Sequence, residues 1–334
     1  MRKIIIDDNI RGFANKYLKE MENECPNVIK DLENLRDNVI KYNPGIDKKI
    51  IENYINEIIS DYPNLLITEP KDWNFKKYNK ILGVNSDILI TEVKYNTKRK
   101  VSAGKPIEYR SAKLYDRIMF CLRYEKARTI LGEIHQEMGL KACIYCNTQP
   151  ARSANRNVFY EMDHLKPQSK YPFLGTCFYN LQPSDGSCNK RKSDNPCDFQ
   201  LYINDSKEEL SPFRFLPRIT GIEPNTKCIE IKFVGKNGNT TTESKQYNTT
   251  FHLEDLYAAY KDVVDDIYWQ NYKMCGSMVA AYKATFGHDV TRAELTKHLL
   301  HCPYDESKIH EDVLRKLKVD TMKQLDDAGL LLKD

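Results

Sequence analysis

No apolar run in this chain approaches the roughly 20 residues that a helix needs to cross a bilayer, so helical membrane spans are excluded. The nearest approach to a leader is Ile4-Ile5-Ile6, and Asp7 and Asp8 cut it short of a signal-peptide core. A cytoplasmic location with no membrane partner is the expectation. Internal repeats are missing, which excludes solenoid architectures. Low-complexity tracts are missing too. Disulfides are not expected either. The chain holds ten cysteines in 334 residues, but cytosolic thiols stay reduced, and a clustered subset then points to metal.

What is present is ordinary in bulk and uneven in detail. Hydrophobic residues make up 41% and charged residues 29%, the balance of a soluble globular chain with a real core and two or three domains. The net charge of +4 is unevenly spread: residues 94–128 hold eleven Lys and Arg against three acids, whereas residues 201–334 hold 18 against 21. A basic stretch of this kind suits a polyanionic ligand, or is a solvated helix face.

Helical periodicity dominates residues 1–80, as in Phe13, Tyr17, Leu18 and Met21, and in Ile50, Ile51, Tyr54, Ile55 and Ile58. Residues 87–95 read as a strand. Its Glu92-Val93-Lys94 is not taken as a nuclease motif, because one short strand would have to supply every ligand. A single amphipathic helix is predicted over 111–138. Residues 228–234 alternate as a strand, and Asn237-Gly238 predicts a hairpin returning through a polar strand over 239–247. From Leu253 onward the chain reads as helical. His298, His301 and Cys302 cluster near its end and read either as a metal site or as a packed helix end.

The chemistry concentrates in residues 143–194. Five cysteines lie in or just after this stretch: Cys143, Cys146, Cys177, Cys188 and Cys197. Asp163-His164 offers a hard oxygen ligand beside a side chain able to deprotonate water near neutral pH. Leu165-Lys166-Pro167 supplies a bend that lets both face one site. Asn189 offers a neutral second ligand to the same cation, and Lys190, Arg191 and Lys192 follow as candidate phosphate contacts. Asn180 is positioned to pin the intervening loop and to orient His164.

Asp163-His164, then Asn180-Leu181, then Cys188-Asn189 with a following Lys resembles the HNH nucleases, whose fold is the ββα-metal or His-Me finger. The resemblance covers about residues 141–200. It implies His164 as general base, Asp163 and Asn189 as ligands of a catalytic Mg²⁺ or Mn²⁺, and Asn180 as the middle, structural Asn. It implies cleavage of DNA phosphodiester bonds; RNA cleavage, or a subunit that binds without cutting, are the alternatives. The cysteines resemble the zinc-bearing branch, in which two Cys-x-x-Cys pairs hold a structural Zn²⁺. Cys143, Cys146 and Cys188 match three of those positions. The fourth is Asp185 here, so the ligand could be Asp185, Cys197 or Cys177, or zinc could be absent. More loosely, residues 167–194 are similar to HNH proteins of bacterial anti-phage systems of the Septu type, which implies a partner ATPase or other defence subunit. The expected fold class is therefore α+β: a mainly helical region at 1–138, a ββα-metal (HNH) finger at 139–200, and a β-hairpin followed by helices at 201–334.

Overall fold

A computed structural model describes the chain except for residues 84–85, 97–108, 195–198, 224–225, 274–275, 288–293, 295–296, 298–299, 302–303 and 331–334. The fold is mixed helix and strand. In chain order it runs β1 (Ile4–Ile5), α1 (Asp8–Glu24), α2 (Val28–Tyr42), α3 (Lys48–Asp61), α4 (Phe75–Leu82), β2 (Glu92–Asn96), β3 (Tyr109–Lys113), α5 (Leu114–Cys121), α6 (Tyr124–Glu137), β4 (Ser153–Ala154), β5 (Asn157–Val158), β6 (Glu161–His164), β7 (Leu181–Ser184), α7 (Gly186–Asp194), β8 (Tyr202–Ile203), β9 (Phe213–Glu223), β10 (Thr226–Gly235), α8 (Thr242–Phe251), α9 (Leu253–Tyr257), α10 (Lys261–Lys273), α11 (Gly276–Phe286) and a last helix, Arg315–Asp327. The described strands pair only two at a time: β1 with β8 in parallel, and β2–β3, β4–β5, β6–β7 and β9–β10 antiparallel.

The N-terminal helices form where the pattern predicts. Asp7 caps α1 by accepting from the Ile10 N–H at 2.9 Å. Ile10, Ala14, Tyr17 and Met21 then recur at helical spacing and are buried. Asp47 does the same for α3, whose Ile51, Tyr54, Ile55 and Ile58 are buried. One apolar core runs from Met1 to Leu317, joining these helices to the cysteine-rich centre and to the C-terminal region. Among the described residues no helix is long and apolar enough to cross a membrane.

Four local readings differ from the pattern. Residues 86–90 are a 3-10 turn, and the strand begins only at Glu92. The helix expected over 111–138 is three elements. Residues 109–113 pair with β2 as a strand, and Arg123 breaks the remainder by adopting a left-handed φ of 61°. No glycine or proline marks that break, and Arg123 there pairs with Asp31 of α2. The hairpin is made by β9 and β10, so the strand before residue 228 is the partner. Pro217 sits inside β9 without penalty because a two-stranded ribbon leaves one edge free. The turn at Gly238 does form, with φ 80°, but Thr241 and Ser244 then cap each other's backbone in a capping box and start α8 where a strand was expected. Of the His298, His301 and Cys302 cluster, His298 and Cys302 lie outside the described residues.

Candidate functional site

The site is built on three consecutive elements. β6 pairs antiparallel with β7, with Asp163 opposite Gln182 and His164 opposite Leu181. α7 follows β7 directly and packs against β6. Asp163 and His164 therefore lie at the end of a strand, where the chain bends into the loop 165–180. An open cavity of about 760 Å³ is lined by Asp163, His164, Lys166, Asn189 and Lys192 among others.

Asn180 fixes that loop. It is fully buried. Its amide oxygen accepts from the Lys166 N–H at 2.7 Å, and its amide nitrogen donates to the Lys166 and Leu174 carbonyls at 3.2 and 3.0 Å. It does not touch the imidazole. His164 is held one residue further on, where Nε2 lies 3.0 Å from the Gly175 carbonyl. A carbonyl only accepts, so Nε2 carries the proton and Nδ1 keeps its lone pair. Burial lowers the His164 pKa from its ordinary value, partly opposed by the Gly175 hydrogen bond. The ring also lies against Tyr124, centroid to centroid 5.2 Å.

Gly175 carries a steric requirement. A Cβ there would overlap Met119 Sδ and stand 2.9 Å from the Pro172 carbonyl. Any side chain there would force Met119 to move or shift the loop that carries the Gly175 carbonyl.

Asp163 is 6% exposed. Its Oδ2 accepts from the Tyr145 hydroxyl and from Lys192 Nζ, the latter at 2.5 Å. Lys192 also donates to the His164 carbonyl at 2.8 Å. Lys192, expected as a phosphate contact, is here bonded to both of these acceptors while lining the cavity. At 8% exposed its ammonium is the internal counter-ion of Asp163. Lys190 is exposed, and Arg191 donates to the Phe251 carbonyl at 2.9 Å. The Asn189 amide nitrogen donates to Glu161 Oε2 at 2.6 Å, which leaves its amide oxygen as an acceptor at the cavity.

The cysteines separate into two environments. Cys143, Cys146 and Cys188 bring three buried sulfurs within 4.8 Å of one another. A buried cluster of this kind suits a soft-ligand metal such as zinc. The adjacent Cys143 and Cys188 sulfurs hold the Cys146 thiol below its ordinary range, and the Thr148 hydroxyl donates to its sulfur at 3.3 Å. Burial pushes Cys143 up. Asp185 is not in the group. Its carboxylate accepts from the N–H groups of Ser187 at 2.9 Å and Cys188 at 3.4 Å, and from the Ser187 hydroxyl. It is consumed as the cap of α7. Cys177 is buried elsewhere and donates to the Thr68 carbonyl. Cys197 lies outside the described residues. Among the described residues the group is these three cysteines.

The C-terminal region closes over this centre. Asn147 follows Cys146 with a φ of 56°, a conformation asparagine tolerates. Its side chain donates to the Ile309 and Asp312 carbonyls and accepts from the Lys316 N–H at 2.8 Å. The hydroxyls of Tyr247 and Tyr257 donate to the carbonyls of Tyr145 and Cys146 at 3.0 and 2.7 Å.

Sequence reasoning missed Tyr145, Glu161, Gly175 and Tyr124. The one local signal was for Tyr145, which stands inside the Cys-x-x-Cys; nothing local marks the other three. No protein-family model, curated protein or solved structure matches the chain.

Proposed function

We propose that the chain is a metal-dependent endonuclease of the HNH type that hydrolyses DNA phosphodiester bonds. One observation carries this reading: Asp163, His164 and Asn189 line a single open cavity. The Gly175 carbonyl, in addition, leaves His164 Nδ1 as the unprotonated nitrogen.

In this reading His164 Nδ1 accepts a proton from the attacking water. Burial keeps the imidazole neutral near pH 7, so the base is ready without prior deprotonation. Asn180 and Gly175 hold the loop that orients it. The oxygen donors of Asp163 and Asn189 fit a hard cation, and a Mg²⁺ or Mn²⁺ held there would neutralise charge developing on the phosphate and leaving oxygen. Cys143, Cys146 and Cys188 fit a structural Zn²⁺. The products are 5′-phosphate and 3′-hydroxyl ends. Plasmid and oligonucleotide cleavage with Mg²⁺ or Mn²⁺ tests the reading: His164→Ala abolishes cleavage while folding and DNA binding persist. An unchanged rate in that variant removes His164 from the role of base.

Lys192 favours a second reading. Its ammonium already neutralises Asp163, as in a module that binds nucleic acid without cutting. Binding without cleavage under both metals would select that reading.

A further inference from the structure

We propose that the groove beside the candidate site seats an unpaired base, so that the substrate is single-stranded where it enters; this rests on the nucleic-acid reading above. Arg117 lies in a stack: its guanidinium carbon is 3.6 Å from the Tyr95 ring centroid and 4.9 Å from that of Phe120. Its Nε is buried without a hydrogen-bond partner, so the guanidinium is held by ring faces. The ladder Tyr95–Arg117–Phe120 reaches a phenylalanine that is 60% exposed although Arg123 also lies 5.9 Å from its ring centroid. A ring left this exposed within a cation–aromatic stack offers surface to one more flat, polarisable group. A nucleobase fits that description, and stacking accepts any base because each has a π-face.

The groove continues into the candidate site. It measures about 670 Å³ and is lined by Phe120, Tyr124 and Gln168 among others. Gln168 lines both cavities, and Tyr124 lies against His164. A base on Phe120 would thus belong to a nucleotide close to the phosphate facing His164. The charges in the groove favour a base over a phosphate. Arg123 and Lys126 are already paired with Asp31 and Glu24, and Asp116 and Glu125 add negative charge. A duplex keeps its bases stacked inward and cannot reach Phe120 without unpairing.

Fluorescence anisotropy with a labelled single-stranded DNA, the same sequence as RNA, and the DNA duplex tests this, with no divalent ion added. Phe120→Ala is expected to weaken single-strand binding about fivefold or more, Phe120→Trp to retain it, and duplex binding to stay unchanged. The DNA and RNA arms identify which single strand is taken. Equal binding by wild type and Phe120→Ala, or equal losses on single strand and duplex, overturns the groove while leaving the nucleic-acid reading intact. Failure of the wild type to bind any of the three overturns both. Phe120 is exposed, so unchanged thermal unfolding of both variants checks that the fold is retained.

Discussion

The hydroxyl of Tyr145, a residue between two cysteines of the sulfur cluster, donates to the carboxylate of Asp163 at the candidate cavity. Tyr145 is fully buried and stacks on Phe251 at 4.9 Å, and Gln182 donates to its hydroxyl at 3.2 Å. The two halves of the central motif are therefore one hydrogen-bonded unit. Tyr145→Phe removes a donor from a buried carboxylate, and a loss of about 1.5–3 kcal/mol is expected. Denaturant unfolding measures it. Any cleavage activity should fall as well, because Asp163 loses one of the groups that orient it.

Lys192 and Lys190 separate the counter-ion role from the phosphate role. Lys192→Met leaves Asp163 buried without its cation, and a destabilisation of about 3–5 kcal/mol is expected. Lys190→Ala, on the exposed surface, should leave stability within about 0.5 kcal/mol. If Lys190 contacts a phosphate, its loss flattens the salt dependence of DNA binding. Stability that is equal in both variants would contradict the burial of Lys192.

The sulfur cluster makes a prediction about metal content. Elemental analysis of purified protein should find about one zinc per chain, and Cys146→Ser or Cys188→Ser should lower it. Because Asn147, directly after Cys146, bonds to residues 309–316, chelating any zinc found should speed amide exchange there. Exchange that speeds only around residues 143–148 would show that the C-terminal segment is held independently.

His135 gives a pH dependence with a definite sign. It is fully buried, and desolvation lowers its pKa from the ordinary value of 6.5 to about 3. Between those values the unfolded chain takes up a proton that the folded chain refuses. The stability that His135 contributes is thus present above pH 6.5 and is lost as pH falls toward about 3. Its slope is about 1.4 kcal/mol per pH unit for this one group. His135→Leu should flatten the decline measured by unfolding between pH 6 and pH 4, relative to wild type. Parallel profiles would refute the assignment.

Gly175 tests the imidazole's tautomer. Gly175→Ala forces Met119 or the loop to move, at a cost of about 1–3 kcal/mol. Nuclear magnetic resonance of the imidazole nitrogens should then show His164 losing its fixed Nε2-protonated form. A tautomer unchanged from wild type would mean that the carbonyl is held by other contacts.

The chain by itself determined the helical N-terminal region and singled out Asp163, His164 and Asn189, which line one cavity. Tyr17 and Met21 or Tyr54 and Ile58 are legible because helical burial repeats with a short period, and Asp7 and Asp47 because a cap bonds three residues away. Asp163, His164, Asn180 and Asn189 were legible as types and spacings, since the strand, loop and helix carrying them are contiguous. Only the tertiary structure decided which charges face solvent and which are spent inside. Lys192 resembles its neighbours Lys190 and Arg191 in sequence, but the turn of α7 that points it at β6 buries it on Asp163. Asp185 occupies a ligand position in the pattern, but the start of α7 presents it with unsatisfied N–H groups to cap. Arg123 breaks a helix that its own residues favour, at the point where its guanidinium pairs with Asp31 of α2. Gly175 and Tyr145 act on His164 and Asp163 across 11 and 18 residues of chain. At those separations only packing decides which groups meet.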